Sequence, residues 1–454
     1  MLDRWFRLAE NGTRVRTELS AGLTTFLTMS YILFVQPALL AGEPAGMDAG
    51  AVTVATCLTT AVATAIMGLW ARYPIALAPG MGVNAFFAYA LIPAAAAAGH
   101  PVPWQAALGV VFASGVAFLA LSGLGIREHV MDALSPSLKG AIAAGIGLFI
   151  AFIGMRNAGW IVDHPATLVA LSADLSSPDV IVSSAGLLTA AVLSVRRTGG
   201  ALLLGMLTAT AVALALRTIL PEETGGDSFA RFQVAEAVFA TPPSIRPTLL
   251  ALDVGAILLP GLIPFVIVFL FVDLFDTVGT LVGVTEQAGL SPEGSLARAP
   301  QALATDALAT TLGACLGTST VTSYIESAAG VEQGGRTGLV ALTVSGLFLL
   351  ALFFSPIIAM VGSYPPITAP ALILVGAAML RNVGKIAWSD PSESIPAFLI
   401  LVGIPLSFSI GDGMALGFLA YPLLKLGAGR GREVPVALWL LVPLLLAYFV
   451  LLRT

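Results

Sequence analysis

Residues 77–89 read LAPGMGVNAFFAY, and residues 316–330 read LGTSTVTSYIESAAG. Each is apolar enough for lipid, and neither reads as a plain membrane helix. Pro79, Gly80 and Gly82 oppose a continuous helix at the start of the first stretch. The second is short, and its opening Gly-Thr-Ser-Thr-Val-Thr favours extended chain over helix. Non-helical backbone at membrane depth leaves N–H and C=O groups unpaired, so it must line a cavity or pair with itself. The helical part of each stretch then presents free N–H donors and a positive dipole end to the bilayer centre. Paired short, Gly/Pro-interrupted segments in matching positions of two halves point to a transporter binding site. The alternative is two irregular helices kinked for packing.

The surrounding chain supports a membrane reading. It has 454 residues, 57% hydrophobic and 10% charged, with mean hydropathy +0.94. A soluble domain carries about 25% charge. A hydrocarbon core about 30 Å thick needs roughly 20 apolar residues in a helix. Runs of that kind lie near 20–41, 49–70, 104–124, 135–157, 179–195, 200–220, 256–285, 338–361 and 366–381. Shorter or interrupted ones lie near 76–97, 300–315, 316–331, 395–409 and 411–425, which makes fourteen. The run 434–452 is either an extra C-terminal span or an interfacial helix. Arg4, Arg7, Arg14 and Arg16 open the chain without a signal-peptide core, which reads as a cytosolic surface segment. Cys57 and Cys315 sit in apolar runs as small buried residues, and His100, His129 and His164 fall in loops.

Orientation follows from the basic residues. With the N-terminus in the cytosol and sides alternating, 16 Lys and Arg fall inside. Only Arg156, Arg217, Arg231 and Arg246 fall outside, as the positive-inside rule demands. Segment 221–253, with Glu222, Glu223, Asp227 and Glu236, becomes an outer loop. The chain also echoes itself: Arg156-Asn157-x-Gly159 returns as Arg381-Asn382-x-Gly384, 381 − 156 = 225 residues later. The first copy ends outside and the second inside. Two halves of seven spans must be inverted, a construction common among secondary transporters. The expected fold class is therefore an all-α membrane protein of 14 transmembrane segments in two inverted 7-span repeats. Spans 3 and 10 are broken and open as short strands.

Acidic residues inside spans carry the chemistry. Residues 272–283 read VDLFDTVGTLVG, where Asp273 and Asp276 share a helix face, continued by Thr277 and Thr280. Glu326 lies in the second interrupted span, one turn after Thr322. An ionised Asp at the membrane centre costs about 2.5–3.5 kcal/mol. Three together would cost about 8–10 kcal/mol facing lipid. They must face inward, be paired, or carry a proton, and a group that takes a proton outside and yields it inside is what a proton-coupled carrier needs. The other reading is a structural network with Thr hydroxyls. Asp306, a fourth membrane acid, reads as support for the crossover. Asn84 offers donor and acceptor, either to a planar amide-like edge or to a helix cap. Thr24, Thr25 and Thr28 stripe the first span, although membrane threonines often bond their own backbone. There is no phosphate-binding loop for ATP and no His-Glu-x-x-His zinc motif. Gly411-Asp412-Gly413 lacks the Gly-x-Gly-Asp order of an intramembrane aspartyl protease.

The stretches GLTTFLTMSYI (22–32), LAPGMGVNAFFAY (77–89), VDLFDTVGTLVG (272–283) and TSYIESAAGVEQGGRTGL (322–339) resemble the AzgA-like branch of the nucleobase transporters. These are purine permeases for hypoxanthine, adenine and guanine, and the likeness runs from the N-terminal arginines to about residue 425. The resemblance implies Asp273 and Glu326 as purine-binding carboxylates, with Asn84 supporting them. Thr28 is added to the substrate-binding set, and Asp276 resembles the acid assigned to proton coupling. Phe86, Phe87 or Tyr324 would stack on the base or simply pack.

The resemblance also implies a core and a gate. They divide the chain into a cytosolic segment 1–19, core halves 20–134 and 256–362, gate halves 135–220 and 363–425, an outer loop 221–255 and a C-terminal segment 426–454. The implied activity is import of a purine nucleobase across the cell inner membrane by proton symport. No cofactor beyond the proton gradient and no nucleic acid are expected, and a homodimer is left open. The rivals are a sulfate- or bicarbonate-type anion carrier of the same architecture, a channel, and, more remotely, an intramembrane enzyme.

Overall fold

The computed structural model describes residues 5–124, 135–220, 229–230, 232–259, 261–287, 298–408, 410–435, 438–439, 442–443 and 445–446. Arg4, Arg127, His129, Glu222, Glu223, Asp227, Arg231 and most of the run 434–452 lie outside them. Among the described residues, eight helices are long and apolar enough to cross a membrane. The protein is a mostly helical, multi-pass membrane protein.

Helices α1 (Val15–Met29) and α2 (Ile32–Ala41) form one span bent at Ser30 and Tyr31. The helix begins five residues before the apolar run expected at 20. Glu18 explains the extension: it is fully buried and accepts from the Arg336 N–H (2.8 Å), the Thr337 N–H (3.2 Å) and Thr337 Oγ1 (2.7 Å). Its carboxylate thereby satisfies amide donors at the start of helix α13, defined below. Helix α3 (Ala49–Ile66) is capped by Asp48, which accepts from the Ala51 N–H at 2.7 Å. It runs into a π-helical turn at Met67–Ala71.

Strand β1 (Leu77–Pro79) follows, then α4 (Met81–Phe86), a π-helical turn (Phe87–Leu91) and α5 (Ile92–Ala97). Helices α6 (Pro103–Leu124) and α7 (Pro136–Asn157) come next, then a hairpin of β2 (Ile161–His164) and β3 (Leu168–Leu171). Helices α8 (Pro178–Val195) and α9 (Ala201–Ile219) complete the first half of the chain.

The second half opens with α10 (Ile263–Gln287) and α11 (Ala299–Leu316). The run expected from 256 starts as a 3-10 turn at Gly255–Leu258 and becomes α-helical only at Ile263, after Gly261 takes a φ of 86°. Strand β4 (Val321–Ser323) and the short α12 (Ser327–Glu332) follow. The chain continues through α13 (Gly338–Ala351), α14 (Ser355–Gly362), α15 (Pro365–Met379), α16 (Pro391–Ser407) and α17 (Ile410–Gly427). Cys57 is buried and Cys315 half-buried, and both are free thiols.

The two Arg-Asn-x-Gly copies lie at the ends of helices that pack on each other. Gly147 of α7 faces Gly376 of α15 so closely that an added Cβ on Gly147 would sit 2.7 Å from the Gly376 carbonyl oxygen. Small residues at such a crossing let two membrane helices approach backbone to backbone.

Candidate functional site

Both interrupted stretches do open as strands, and the two strands pair. β1 and β4 run antiparallel, with Leu77 opposite Ser323, Ala78 opposite Thr322 and Pro79 opposite Val321. The Tyr324 N–H donates to Ala76 O (2.9 Å) and the Gly80 N–H to Thr320 O (3.1 Å), extending the ladder at each end. Gly80 is required here, because a Cβ would meet Thr322 Cγ2 at 2.8 Å.

A two-stranded sheet has two bare edges, each with polar backbone that lipid cannot satisfy. One threonine closes each edge. Thr64 Oγ1 accepts from the Leu77 N–H (2.9 Å) and donates to Leu77 O (3.0 Å). Thr310 Oγ1 accepts from the Val321 N–H (3.2 Å) and lies 3.0 Å from Val321 O. Thr64 precedes its strand residue by 13 positions and Thr310 by 11. The same device therefore serves both halves of the chain.

The acids divide around this crossover. Asp273 has no exposed surface; its Oδ2 accepts from Thr310 Oγ1 at 2.9 Å. Asp306, equally sealed, accepts from Thr277 Oγ1 at 2.7 Å and from Ser323 Oγ at 3.4 Å, and Thr277 lies 2.8 Å from Thr322 Oγ1. Asp276 is exposed, although Phe269, Val272 and Thr280, one and two turns away on its helix face, are buried. Burial above and below it along α10 places Asp276 among protein neighbours. Glu326 is half-buried, accepts from Tyr31 Oη at 2.8 Å, and is close enough to Asp276 for their charges to interact. Tyr324 turns its hydroxyl to Pro79 O (2.6 Å), its ring 6.5 Å from that of Tyr31.

The other expected residues sit apart from this opening or beside it. Asn84 is fully buried and bonded on both sides, donating to Gln36 Oε1 and accepting from Ser319 Oγ. Gln36 Nε2 in turn donates to Thr318 Oγ1 at 2.9 Å. Thr28 is half-buried and donates to its own backbone at Thr24 O, 2.6 Å away. Phe86 stacks on Phe265 (5.4 Å) and lies 5.0 Å from Phe269, while Phe87 is fully buried.

This acid-lined crossover of two broken spans lies within a stretch that matches a known family model: residues 16–415 fit the model of a permease family. The chain belongs to that permease family. The permease is 43% identical to the guanine/hypoxanthine permease PbuG of Bacillus subtilis (strain 168), over 100% of both chains. It is 42% identical to the adenine permease AdeP of Escherichia coli (strain K12), over 96% of this chain and 92% of that one. Among solved structures it resembles the transmembrane domain of the cyanobacterial bicarbonate transporter BicA. The TM-score is 0.63 at 13% identity, over 89% of this chain and 97% of that one. The murine Solute Carrier 26 family member A9, an anion transporter, gives 0.63 at 12% identity, over 91% and 68%. Likeness at such identities concerns the fold alone. As a permease the protein is a transporter and not an enzyme.

Three residues that hold the permease's site were not singled out in the sequence. Tyr31 and Gln36 were polar groups in an apolar first span, and each signalled a partner by that alone. Thr64 looked like any membrane threonine, and only the strand opposite it shows what it satisfies.

Proposed function

We propose that the permease imports purine nucleobases by proton symport, with the base held where Glu326 and Asp276 open onto the crossover. The observation that carries this reading is the charge of the opening. Two carboxylates face it, and among the described residues no Lys, Arg or His is ion-paired with either. An anion would be repelled there, whereas a purine presents ring and exocyclic N–H donors that a carboxylate accepts. The purine permeases of Bacillus subtilis and Escherichia coli, similar along nearly the whole chain, support the same substrate class.

In this conformation Asp276 is exposed where Asp273 is buried, and the resemblance places Asn84 and Thr28 beside the base. Asp273 is buried against α11 in this conformation, while the resemblance gives base binding to Asp273 and proton coupling to Asp276. The finer architecture belongs to this reading too. It comprises 14 spans in two inverted repeats, a core of 20–134 with 256–362, a gate of 135–220 with 363–425, and an N-terminus in the cytosol of the inner membrane. The paired strands and their matching threonines support the repeat. Alternating access then follows from movement of core against gate.

The test is uptake of labelled hypoxanthine in a bacterium lacking its own purine uptake, with unlabelled adenine, guanine and sulfate as competitors. Saturable uptake that purines reduce, sulfate leaves alone and a proton uncoupler abolishes is expected. Inhibition by sulfate with no effect of guanine would replace the reading with an anion carrier.

A further inference from the structure

His100 has no part in the transport reading, yet it sits in one of two matching contacts. The span after each broken stretch begins against an acid from the other half of the chain. At α13 that acid is Glu18, whose partners are the Arg336 and Thr337 amides and the Thr337 hydroxyl. At α6 it is Asp253, which precedes α10, and His100 Nε2 lies 3.0 Å from Asp253 Oδ2. Amides and a hydroxyl do not titrate there, whereas histidine is the side chain whose charge ordinarily changes between pH 5 and 8.

The segment that carries Asp253 ties several elements together. The Asp253 N–H donates to Gln105 O at the start of α6 (2.9 Å). Its Oδ1 accepts from the Gly255 (2.9 Å) and Ala256 (3.3 Å) N–H groups in the turn that leads to α10. Thr248 Oγ1 donates to Leu316 O (2.9 Å) and the Leu250 N–H to Cys315 O (2.7 Å), at the end of α11 just before β4. His100 in turn closes the end of the first broken span, where its N–H donates to Ala95 O of α5 (3.1 Å). The His100–Asp253 contact thus joins that broken span to the entry of α10.

The His100 ring is placed for both of its protonation states. Nδ1 lies 3.1 Å from the Val102 nitrogen and 2.9 Å from Val102 O. Neutral, the ring donates from Nε2 to Asp253 and accepts at Nδ1 from the Val102 N–H. Protonation forms one new N–H bond at Nδ1, which donates to Val102 O, and the bond to Asp253 becomes an ion pair. The charge of the pair then goes from −1 to 0. The His100 side chain is 9% exposed and that of Asp253 46%, so solvent meets the pair on the Asp253 side.

Few other charges face the pair. Helices α5 and α6 and the turn Gly255–Leu258 contain none. Segment 245–254 adds Arg246, which is exposed and, among the described residues, in no ion pair. Helix α10 has no charged residue before Asp273, and α11 brings Asp306 and, at the end that Leu250 bonds, Cys315. The hydrogen bond from His100 holds the Asp253 carboxyl below its ordinary value, so Asp253 stays ionised above about pH 5 while His100 gains or loses its charge.

We propose that His100 and Asp253 form a clasp that senses pH on the outer face, separately from the proton that is transported. Protonation of His100 tightens the tie between the first broken span and α10, the elements that carry Asn84 and Asp276, and uptake speeds up as the outer medium acidifies. The contribution of the clasp is present at low pH and lost as pH rises through the range in which imidazole loses its proton. The inference rests on the purine-symport reading and on its cytosolic N-terminus, which puts this face outside.

The experiment compares full-length wild type with His100→Gln. In proteoliposomes with equal pH on both sides, no gradient drives exchange of labelled for unlabelled hypoxanthine. Wild type should exchange about two- to fivefold faster than His100→Gln at pH 5.5, the range for a partly exposed ion pair, and at nearly the same rate at pH 8. In right-side-out membrane vesicles, acidifying the outer medium alone should restore the difference, and acidifying the interior alone should not. A ratio independent of pH, or one that follows the interior, would overturn the proposal. Melting of the two purified proteins in one detergent reads the clasp without substrate, and the excess of wild type should shrink from pH 5.5 to pH 8. If wild type exchanges no hypoxanthine, the purine reading fails, and a melting difference that is constant with pH still overturns the clasp. Should His100→Gln not be recovered folded, Asp253→Asn carries the same comparison with the same expected and contrary results.

Discussion

Asp273 and Asp276 stand less than one helical turn apart on α10, in the same apolar run, and meet opposite surroundings. Asp273 is sealed and tied to Thr310 of α11, while Asp276 is exposed and close enough to Glu326 for their charges to interact. Spacing of three places both side chains on one broad face. What separates them is the neighbour: Thr310 of α11, which also bonds β4, covers Asp273, and Asp276 lies beside Glu326. Position on a helix therefore assigned the acids to one stripe, and packing divided the stripe into a closed side and an open side.

The largest expected effect tests the open side. Glu326→Gln keeps the shape of the side chain and removes its charge. Hydrogen bonds to charged groups contribute about 1.5–3 kcal/mol, which corresponds to a loss of roughly 10–150-fold. Uptake of hypoxanthine, measured as kcat/KM, should fall by that much with the protein still in the membrane. Asp276→Asn should follow with about a tenfold loss carried mainly by KM, as expected for a group that binds base in the ground state. A loss at Asp276 confined to proton coupling, with base affinity untouched, would restore the division of roles implied by family resemblance.

A smaller effect is expected at Tyr31, whose hydroxyl donates to Glu326 at 2.8 Å. Tyr31→Phe removes one donor, a change of about 1 kcal/mol, so base affinity by equilibrium binding should weaken by several-fold.

The two strand edges sharpen the comparison in terms of stability. Thr64→Val and Thr310→Val each strand one N–H and one C=O in an apolar setting, at about 1–3 kcal/mol for a buried unsatisfied group. Both variants should melt lower than wild type in the same detergent. Only Thr310→Val should also alter the pH dependence of uptake, because only Thr310 touches an acid.

The smallest effect lies far from the crossover. Arg430 bonds Asp390 at 2.6 Å and Glu433 at 2.7 Å beside the ends of α16 and α17. Hydrogen bonds from Ser392 and then Arg430 push the Asp390 carboxyl down to about 2. Those from Arg430 and then Lys425 push Glu433 down to about 2 as well. A lowered carboxyl contributes stability that is present above its unfolded value near 4 and lost as pH falls through about 2. The melting difference between wild type and Arg430→Ala should therefore stay constant between pH 5 and 8. A difference that changes across that window would make this tie, and not only the clasp at His100, a pH-sensitive element.

Much of this was legible in the residues. Pro79, Gly80 and the Thr-rich opening of 317–322 announced two non-helical stretches, and lipid left them no partner but each other. The acids were visible because a carboxylate in an apolar run is expensive. The capping of strand edges by Thr64 and Thr310 was not legible, since a threonine in a membrane helix usually bonds its own backbone, as Thr28 does. The same limit applied to Asn84. Its amide suits a base or a cap equally well, and Gln36 and Ser319, far away in the chain, decide its bonds in this conformation. Glu18 looked like part of a polar surface segment, and the amides it caps lie more than 300 residues away, at Arg336 and Thr337.

The central claim is that open carboxylates at the crossover hold an uncharged purine. Equilibrium binding of labelled hypoxanthine to the purified permease tests it most directly, with wild type beside Glu326→Gln. The account predicts saturable binding to wild type that guanine or adenine displaces and sulfate does not, and binding to Glu326→Gln that is weaker by roughly 10–150-fold. Equal hypoxanthine affinity in both proteins, or displacement by sulfate, would contradict it.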